Sequence, residues 1–220
     1  MGKRLESSNR FFDLPLTGGS RVLLAVAAFL LIPVFFLPLW SIRMTSTQYP
    51  DALTLDIYGH QLVGGHGGTG ERDDLLEINT LNHYIGMRPL QAEDFAEFKW
   101  IPLAVGAFIL LALRASVLGH VHYIVDLLVL QLYFGVFSIW NFWHRMYLYG
   151  HSLAKEAPIK IDPFMPPILG DKQLANFHVW AYPGAATYLL GVFPLLLLAA
   201  MFLTWRNSRR TPRCIASRSR

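Results

Sequence analysis

The chain has 220 residues, of which 53% are hydrophobic and 15% are charged, and its mean hydropathy is +0.35. Soluble domains carry about 45–50% apolar and about 25% charged residues, so this composition excludes an ordinary water-soluble globule. The single cysteine, Cys214, excludes an internal disulfide, a C-x-x-C redox pair and a zinc knuckle. The formal net charge is +4, but the basic residues lie mostly at the two ends beside apolar segments. This is typical of a membrane topology signal and not of nucleic-acid binding.

Apolar residues are concentrated in four segments, each long enough to cross about 30 Å of hydrocarbon as a helix. They predict membrane-spanning helices at residues 22–42, 100–118, 123–148 and 182–205. The first segment is too long for the apolar part of a cleaved signal, and no small-residue cleavage site follows it, so we expect it to be retained. The predicted fold is therefore an all-α membrane protein with four transmembrane helices.

Basic residues next to the spans predict the orientation of the chain. Lys3, Arg4, Arg10 and Arg21 precede the first span, and a run of arginines begins at Arg206 after the fourth. Positive flanks stay in the cytoplasm, so both termini are predicted to be cytoplasmic in a bacterial inner membrane. The segments outside the spans are then a cytoplasmic arm (1–21), a first periplasmic loop (43–99), a cytoplasmic turn (119–122), a second periplasmic loop (149–181) and a basic cytoplasmic tail (206–220).

The two periplasmic loops predict a small outer cap. Leu53, Leu55 and Ile57 alternate with polar residues, which predicts a short strand or hairpin after the first span. A short helix is predicted from Asp73, with Gly86 at its end. The second loop is rich in proline and has too few apolar residues for a core of its own. We therefore expect it to pack against the first loop or the membrane surface.

Many potential metal ligands fall on the predicted outer side. The histidines are His60, His66, His83, His144, His151 and His178, and the methionines are Met44, Met87, Met146 and Met165. Imidazole together with thioether is a ligand set that suits copper, Cu(I) in particular. Helical spacing also places Asn141, His144 and Tyr147 on one face of the third span, which predicts a polar face toward the cap. The alternative is an interfacial helix end that exposes polar groups to water.

A second polar cluster lies at the cytoplasmic end of the third span. His122 and Asp126 are one helical turn apart, and an ionisable residue inside a span is costly enough to suggest a proton or metal path. The alternative is structural, because Asp126 lies about a turn inside the interface, where His122 or Arg114 can neutralise it. His122 and His144 lie at opposite ends of one helix and cannot share a haem. Hydrolase motifs such as G-x-S-x-G and H-E-x-x-H do not occur in the sequence.

Three groups of outer residues carry a family resemblance. They are Leu39-Trp40 with Gln48-Tyr49-Pro50, the run Leu81-Asn82-His83-Tyr84-Ile85-Gly86-Met87, and Tyr149-Gly150-His151-Ser152-Leu153 with Pro166-Pro167-Ile168-Leu169-Gly170. They resemble a family of bacterial four-span membrane proteins associated with gene clusters for nitrous oxide reductase and its copper supply. The resemblance implies a place near the maturation of a periplasmic copper enzyme. It puts His83, Met87 and His151 first as copper ligands.

Three functional hypotheses follow. The first is a non-enzymatic inner-membrane accessory protein that binds copper or passes it to a periplasmic copper protein such as nitrous oxide reductase. His83, Met87 and His151 would form its copper site, assisted by His144 or Met146. The second is a metal-free scaffold that docks a partner through the outer loops. The third is a transport or redox component that uses Asp126 and His122.

Overall fold

The computed structural model describes residues 11–67, 70, 72–174 and 177–210. The helices of this part are α1 (Gly18–Leu30), α2 (Asp74–Tyr84), α3 (Glu97–Leu118), α4 (Val121–His151) and α5 (Ala185–Arg210). Its strands are β1 (Trp40–Ser46), β2 (Tyr49–Ile57), β3 (Leu62–Gly64), β4 (Gly170–Leu174) and β5 (Phe177–Pro183). Four helical segments are long and apolar enough to cross a membrane, namely Gly18–Phe35, Glu97–Leu118, Val121–His151 and Ala185–Arg209. These helices indicate a multi-pass membrane protein.

The strands show that the all-α prediction was wrong. They form one antiparallel sheet in the order β3-β2-β1-β5-β4, so the fold combines the apolar helices with a five-stranded sheet. The hairpin of β1 and β2 follows the alternating pattern seen in the sequence. In contrast, β5 is distant from β1 in the sequence but pairs with it, so that Trp40 lies opposite Pro183. The hydrophobic pattern of a strand shows which of its residues share a face, but it does not show which distant strand pairs with it.

The sheet also explains why the helices differ from the predicted spans. A short 3-10 turn at Ile32–Phe35 follows α1, and Trp40 already belongs to β1, so the first helical segment ends before residue 42. Pro33 lies in that turn, and proline cannot supply the N–H that a continuing helix needs. Helix α5 begins at Ala185 because the preceding residues through Pro183 form β5. Helix α3 begins at Glu97, before the predicted start at residue 100. Helix α4 begins at Val121, before the predicted start at residue 123, and continues to His151.

The first of two compact units, called here the helical unit, comprises the described residues within Met1–Ile32, Ala104–Phe134 and Leu189–Arg220. Its buried residues include many alanines: Ala27, Ala28, Ala112, Ala115 and Ala200. Small side chains let helix backbones approach closely, which suits packing in a membrane, where lipid is as apolar as leucine. Large side chains are buried beside these alanines. Phe108, for example, contacts the rings of Phe134 and Phe193 at centroid distances of 5.2 and 6.2 Å.

The second unit, called here the sheet unit, comprises Pro33–Leu103 and Gly135–Tyr188. Cross-strand register places Ile42 opposite Leu55, and Met44 opposite both Leu53 and Val179, so these side chains share one face of the sheet. Helix α2 packs on that face: Leu53, Leu55 and its own Ile78 form a buried core cluster. The sheet unit therefore has an apolar core of its own.

Candidate binding cavity

The sheet unit contains a cavity of about 860 Å³. It is bounded by the apolar face of the sheet, by α2, by the last turns of α4 and by the segment 152–169. Its wall is mainly aliphatic and aromatic, and representative lining residues are Ile57, Leu81, Phe95, Tyr149, Ile161 and Phe164. Small-molecule sites have volumes of about 300–1,000 Å³ and mostly apolar walls with a few polar groups. The cavity has both properties.

A buried carboxylate fixes the start of α2 to the sheet. Asp74 is 1% exposed, accepts a hydrogen bond from the Thr54 N–H at 2.8 Å and forms an ion pair with Arg72 at 2.7 Å. Burial raises the pKa of Asp74, but the hydrogen bonds from Arg72 and Thr54 outweigh this and hold that pKa below its usual value. The same contact favours the charged form of Arg72, because the hydrogen bond to Asp74 raises the pKa of Arg72. A charged, fully paired Asp74 therefore holds this wall of the cavity in place.

Two side-chain contacts position the rest of α2 and the segment that follows it. The Tyr49 hydroxyl donates to Glu77 Oε2 at 2.9 Å, and burial together with this hydrogen bond raises the pKa of Tyr49. Asn79 satisfies both backbone groups of Leu90, since its Nδ2 donates to the carbonyl at 3.2 Å and its Oδ1 accepts from the N–H at 2.7 Å. These contacts hold Met87, which lies between α2 and Leu90, at the cavity wall.

Backbone hydrogen bonds attach the segment 152–169 to the same site. The Ala154 N–H donates to the Gly86 carbonyl at 2.8 Å, and the Phe164 N–H donates to the Gly150 carbonyl at 3.1 Å. Gly86 has a φ of +77°, and a side chain there would collide with Ala154, so both its conformation and its surroundings require glycine. The second predicted loop therefore packs against the first.

The structure places the predicted copper ligands in two different environments. Met87 and the buried Met146 line the cavity, whereas His83 and His151 are exposed. The His151 ring stacks on Tyr147 at a centroid distance of 3.9 Å, and its Nδ1 lies 3.0 Å from the Tyr147 carbonyl oxygen. Within the described ranges, no group of three or more His, Cys, Asp or Glu side chains could hold a metal ion.

The polar face predicted on the third span includes a side chain that bonds to the neighbouring helix α3. Asn141 donates to Glu97 Oε1 at 2.5 Å, and Arg145 forms an ion pair with the same carboxylate at 3.0 Å. These contacts join α4 to the start of α3 within the sheet unit. His144, also predicted on this face, is half-buried and stacks on Trp140 at a centroid distance of 5.5 Å.

Sequence reasoning missed two features of the cavity. The sequence groups Met44 only with the outer methionines, but the structure places it on the same cavity wall as Met87 and Met146. Asn82 is not singled out at all, yet it lines the cavity and is 8% exposed. The sequence feature that could have identified Asn82 is its position next to His83 in the run that carries the family resemblance.

The predicted polar pair of Asp126 and His122 lies in the helical unit. Asp126 is exposed, and in the part of the chain that the structure describes it forms no ion pair with His122 or Arg114. His122 Nδ1 lies 3.4 Å from the Phe12 carbonyl oxygen, and the Arg114 guanidinium lies over the Tyr123 ring. The expected neutralisation of Asp126 by these cations is therefore absent from the described contacts, and a proton or metal path there stays a prediction.

No family model and no curated protein matches this chain in sequence. The resemblance to proteins of nitrous oxide reductase gene clusters stays a prediction. The cavity of the sheet unit is thus the strongest physical basis for assigning a function.

Proposed function

We propose that this protein is a membrane-anchored, non-enzymatic binding protein that holds an apolar ligand in the cavity of the sheet unit. The supporting observation is a cavity of about 860 Å³ with a wall of aliphatic, aromatic and methionine side chains. Removing apolar surface from water contributes about 25 cal/mol per Å², so a ligand that covers this wall gains affinity from contact area. The few polar groups of the wall would orient the ligand.

The position of the cavity along α4 supports delivery of this ligand from the lipid phase. Helix α4 has 31 residues and is therefore about 46 Å long, whereas the hydrocarbon core of a bilayer is about 30 Å thick. Its Met146 and Tyr149, near the carboxyl end, line the cavity. In the proposed topology both termini are cytoplasmic in a bacterial inner membrane, and the sheet unit lies on the periplasmic surface. The basic residues beside the first and fourth spans support this orientation.

Photolabelling of the full-length protein tests the proposal. The protein in detergent is irradiated with a ten-carbon alkyl diazirine, and labelled residues are identified by mass spectrometry. We expect labels on cavity residues such as Ile57 and Phe164, in addition to labels on the lipid-facing helices. Labelling of the helices is an internal control for access of the probe to the sample.

A matched pair of variants in one segment makes the test specific. Ile161→Trp adds bulk to the cavity wall, whereas Leu169→Trp makes the same kind of change at a position that is 69% exposed. We expect cavity labelling to fall at least tenfold in Ile161→Trp and to stay unchanged in Leu169→Trp. The proposal is wrong if cavity residues label no more than Leu169, or if both variants reduce labelling equally.

A second candidate function is Cu(I) binding on the way to a periplasmic copper protein. The observation that favours it is that Met44, Met87 and Met146 line one cavity, since thioethers are ligands that select Cu(I). Met87 and Met146 belong to the ligand set predicted from the sequence. His83 and His151 would then serve as exposed ligands that receive or release the ion.

Competition with a Cu(I)-specific chelator under reducing conditions tests this second function. We expect the protein to retain about one equivalent, and a Met44→Leu, Met87→Leu, Met146→Leu variant to lose it. Methionine-to-leucine changes conserve volume and apolarity, so the fold is retained. Met165→Leu, which does not alter the cavity wall, is the control.

A second variant tests the predicted ligand set. We expect a His83→Ala, Met87→Ala, His151→Ala variant to hold Cu(I) at least tenfold more weakly than the unchanged protein. Copper retention that is unaffected by both this variant and the methionine variant would contradict a role of these residues in copper transfer.

A further inference from the structure

The charges of the cavity wall narrow the class of ligand. Among the described residues that line it, none is Lys, Arg or His, and the one carboxylate, Asp162, is exposed. A fatty-acid carboxylate or a phospholipid phosphate would find no free cation there among the described residues, because Arg72, over the Tyr49 ring, and Arg145, over the Phe95 ring, are already paired with Asp74 and Glu97. Burying an unpaired charge costs several kcal/mol. The wall therefore favours a ligand with a neutral head group.

Two asparagines on α2 show where the ligand would be held. Asn79 is fully used, because its amide bonds both the N–H and the carbonyl of Leu90. Asn82, one turn later, is 8% exposed and lines the cavity. Its side-chain amide has no hydrogen-bond partner among the described residues, although its backbone carbonyl accepts from the Met87 N–H at 2.8 Å.

The Asn82 amide is not among the described buried side-chain atoms that lack a partner, so it is accessible from the cavity and a ligand could provide its partner. A ligand that displaced water from this amide without offering an acceptor would leave a buried donor unpaired, at a cost of about 1–3 kcal/mol. The amide Nδ2 is a donor and can bond a carbonyl oxygen. A ligand with a carbonyl at this point would avoid that cost on binding.

The aromatic part of the wall favours a flat head group. Phe95 and Tyr149 both line the cavity and lie nearly parallel, with an interplanar angle of 10° and a centroid distance of 6.1 Å. Phe164 and Phe177 add two further rings to the wall. Offset stacking on such rings contributes about 0.5–1.5 kcal/mol beyond burial of area. The aliphatic side chains of the sheet face and of α2 provide a separate surface for an alkyl tail.

We infer that the cavity binds a neutral, tail-bearing quinone from the lipid phase, with the Asn82 amide donating a hydrogen bond to one quinone carbonyl. Such a molecule combines a flat uncharged ring, a carbonyl acceptor and a long apolar tail, which are the three features that the wall selects. The inference rests on the proposed function, because it assigns a ligand class to the same cavity. It includes no redox step, since binding alone requires no electron donor or acceptor.

Protection from the alkyl diazirine measures this selectivity in the full-length protein. The competitors are decylubiquinone, decylbenzene, which has the same tail on a ring without a carbonyl, and decanoic acid at pH 8. One neutral hydrogen bond corresponds to about a three- to tenfold difference in affinity. We expect decylubiquinone to protect the cavity at three- to tenfold lower concentration than decylbenzene, and decanoate to protect least.

Two isosteric variants on α2 separate the hydrogen bond from general packing. Asn82→Leu removes the amide, and we expect it to abolish the preference for decylubiquinone while leaving protection by decylbenzene unchanged. Thr80→Val is the control, because Thr80 also lines the cavity but its hydroxyl already donates to the Leu76 carbonyl at 2.9 Å. We expect Thr80→Val to keep the full preference.

The possible outcomes distinguish this inference from the proposed function. Equal protection by decylubiquinone and decylbenzene in the unchanged protein would overturn the quinone assignment but leave apolar binding intact. A preference that persists in Asn82→Leu, or tighter protection by decanoate, would also overturn the assignment. If no competitor protects a cavity that the probe labels, the assignment is wrong and the cavity does not select these ligands. If the probe does not label the cavity at all, both proposals are wrong.

Discussion

The helical unit and the sheet unit fill their interiors in different ways. In the helical unit, large side chains such as Phe108 and Phe193 are fully buried together with small ones such as Ala27 and Ala112, which lets the helices pack closely. In the sheet unit, the core cluster of Leu53, Leu55 and Ile78 lies beside a cavity of about 860 Å³. The comparison separates two tasks of the chain. A closely packed interior of large and small side chains suits anchoring in a membrane, and an apolar wall around a cavity suits binding.

The two units also differ in their polar contacts. The helical unit uses neutral hydroxyls: Ser20 Oγ donates to the Ala200 carbonyl, and Thr204 donates to Ser20 Oγ, both at 2.9 Å. The sheet unit uses charge, as in the ion pair of Arg72 with Asp74. Ionic contacts in a buried site respond strongly to mutation and to pH, whereas neutral contacts do not. Mutations and changes of pH should therefore affect the two units unequally.

The largest effect is expected from Asp74→Ala. Removing this carboxylate takes away the ion-pair partner of Arg72, which keeps only its hydrogen bonds to the Asp51 and Ala52 carbonyls, and the acceptor of the Thr54 N–H. Loss of one member of a buried ion pair costs about 3–5 kcal/mol. Hydrogen exchange in increasing urea, followed by mass spectrometry, should show peptides of the sheet unit opening first while peptides of α5 stay protected.

The neighbouring acid provides the control for this change. Asp73 caps α2 by accepting from the Leu75 and Leu76 N–H groups, and its replacement by alanine should cost only about 1 kcal/mol. Equal losses of stability in Asp73→Ala and Asp74→Ala would contradict the special role assigned to the buried pair.

A smaller effect is expected from Gly150→Ala. A side chain at Gly150 would collide with the Phe164 carbonyl group and disturb the hydrogen bond that closes the cavity. Forcing an extra carbon into a packed site costs about 1–3 kcal/mol. We expect faster tryptic cleavage after Lys155 and Lys160, which lie in the attached segment.

Gly135→Ala is the matched control on the same helix, because a Cβ added at Gly135 would meet open space, with no atom of another element within 4 Å. It should leave the cleavage rate unchanged or stabilise α4 slightly, since alanine is the better helix former. Comparable acceleration in both variants would show that helix α4, and not the contact with Phe164, controls the segment.

The sequence was sufficient to predict the apolar helices but not the sheet. Runs of about twenty apolar residues identify a span without further context. Strand β5 could not be recognised because Trp180 and Tyr182 resemble an aromatic belt at a membrane surface, and its partner β1 is distant in sequence. The cavity was equally hidden, since it depends on where Met44, Met87 and Met146 meet after folding. Residue types suggested copper chemistry, but only the structure brings these methionines to one wall.

A pH titration sharpens the contrast between the units. The pKa of Asp74 is lower in the folded protein than the unfolded value of about 3.9, so the unfolded state binds the proton more readily. Its contribution to stability is complete well above pH 3.9 and is lost as the pH falls through the folded pKa. Each unit of pKa difference corresponds to about 1.4 kcal/mol. In hydrogen exchange, peptides of the sheet unit should lose protection between about pH 5 and pH 3, and Asp74→Asn should flatten this dependence.

The smallest effect is expected from Ser20→Ala in the helical unit. When Ser20 Oγ is removed, the Thr204 hydroxyl can donate to the Ala200 carbonyl at 3.1 Å instead. Thr17 Oγ1, which lies 2.8 Å from Ser20 Oγ, is half-buried and can bond water, so no buried donor is left unpaired. Hydrogen bonds between membrane helices contribute about 0.6 kcal/mol on average. Detergent unfolding should therefore detect only a slight destabilisation. Ser138→Ala, in the part of α4 that belongs to the sheet unit, should be neutral or stabilising, because the buried Oγ of Ser138 has no partner among the described residues. A loss in Ser20→Ala as large as that in Asp74→Ala would mean that polar contacts are as decisive in the helical unit as in the sheet unit, and the proposed division of tasks would fail.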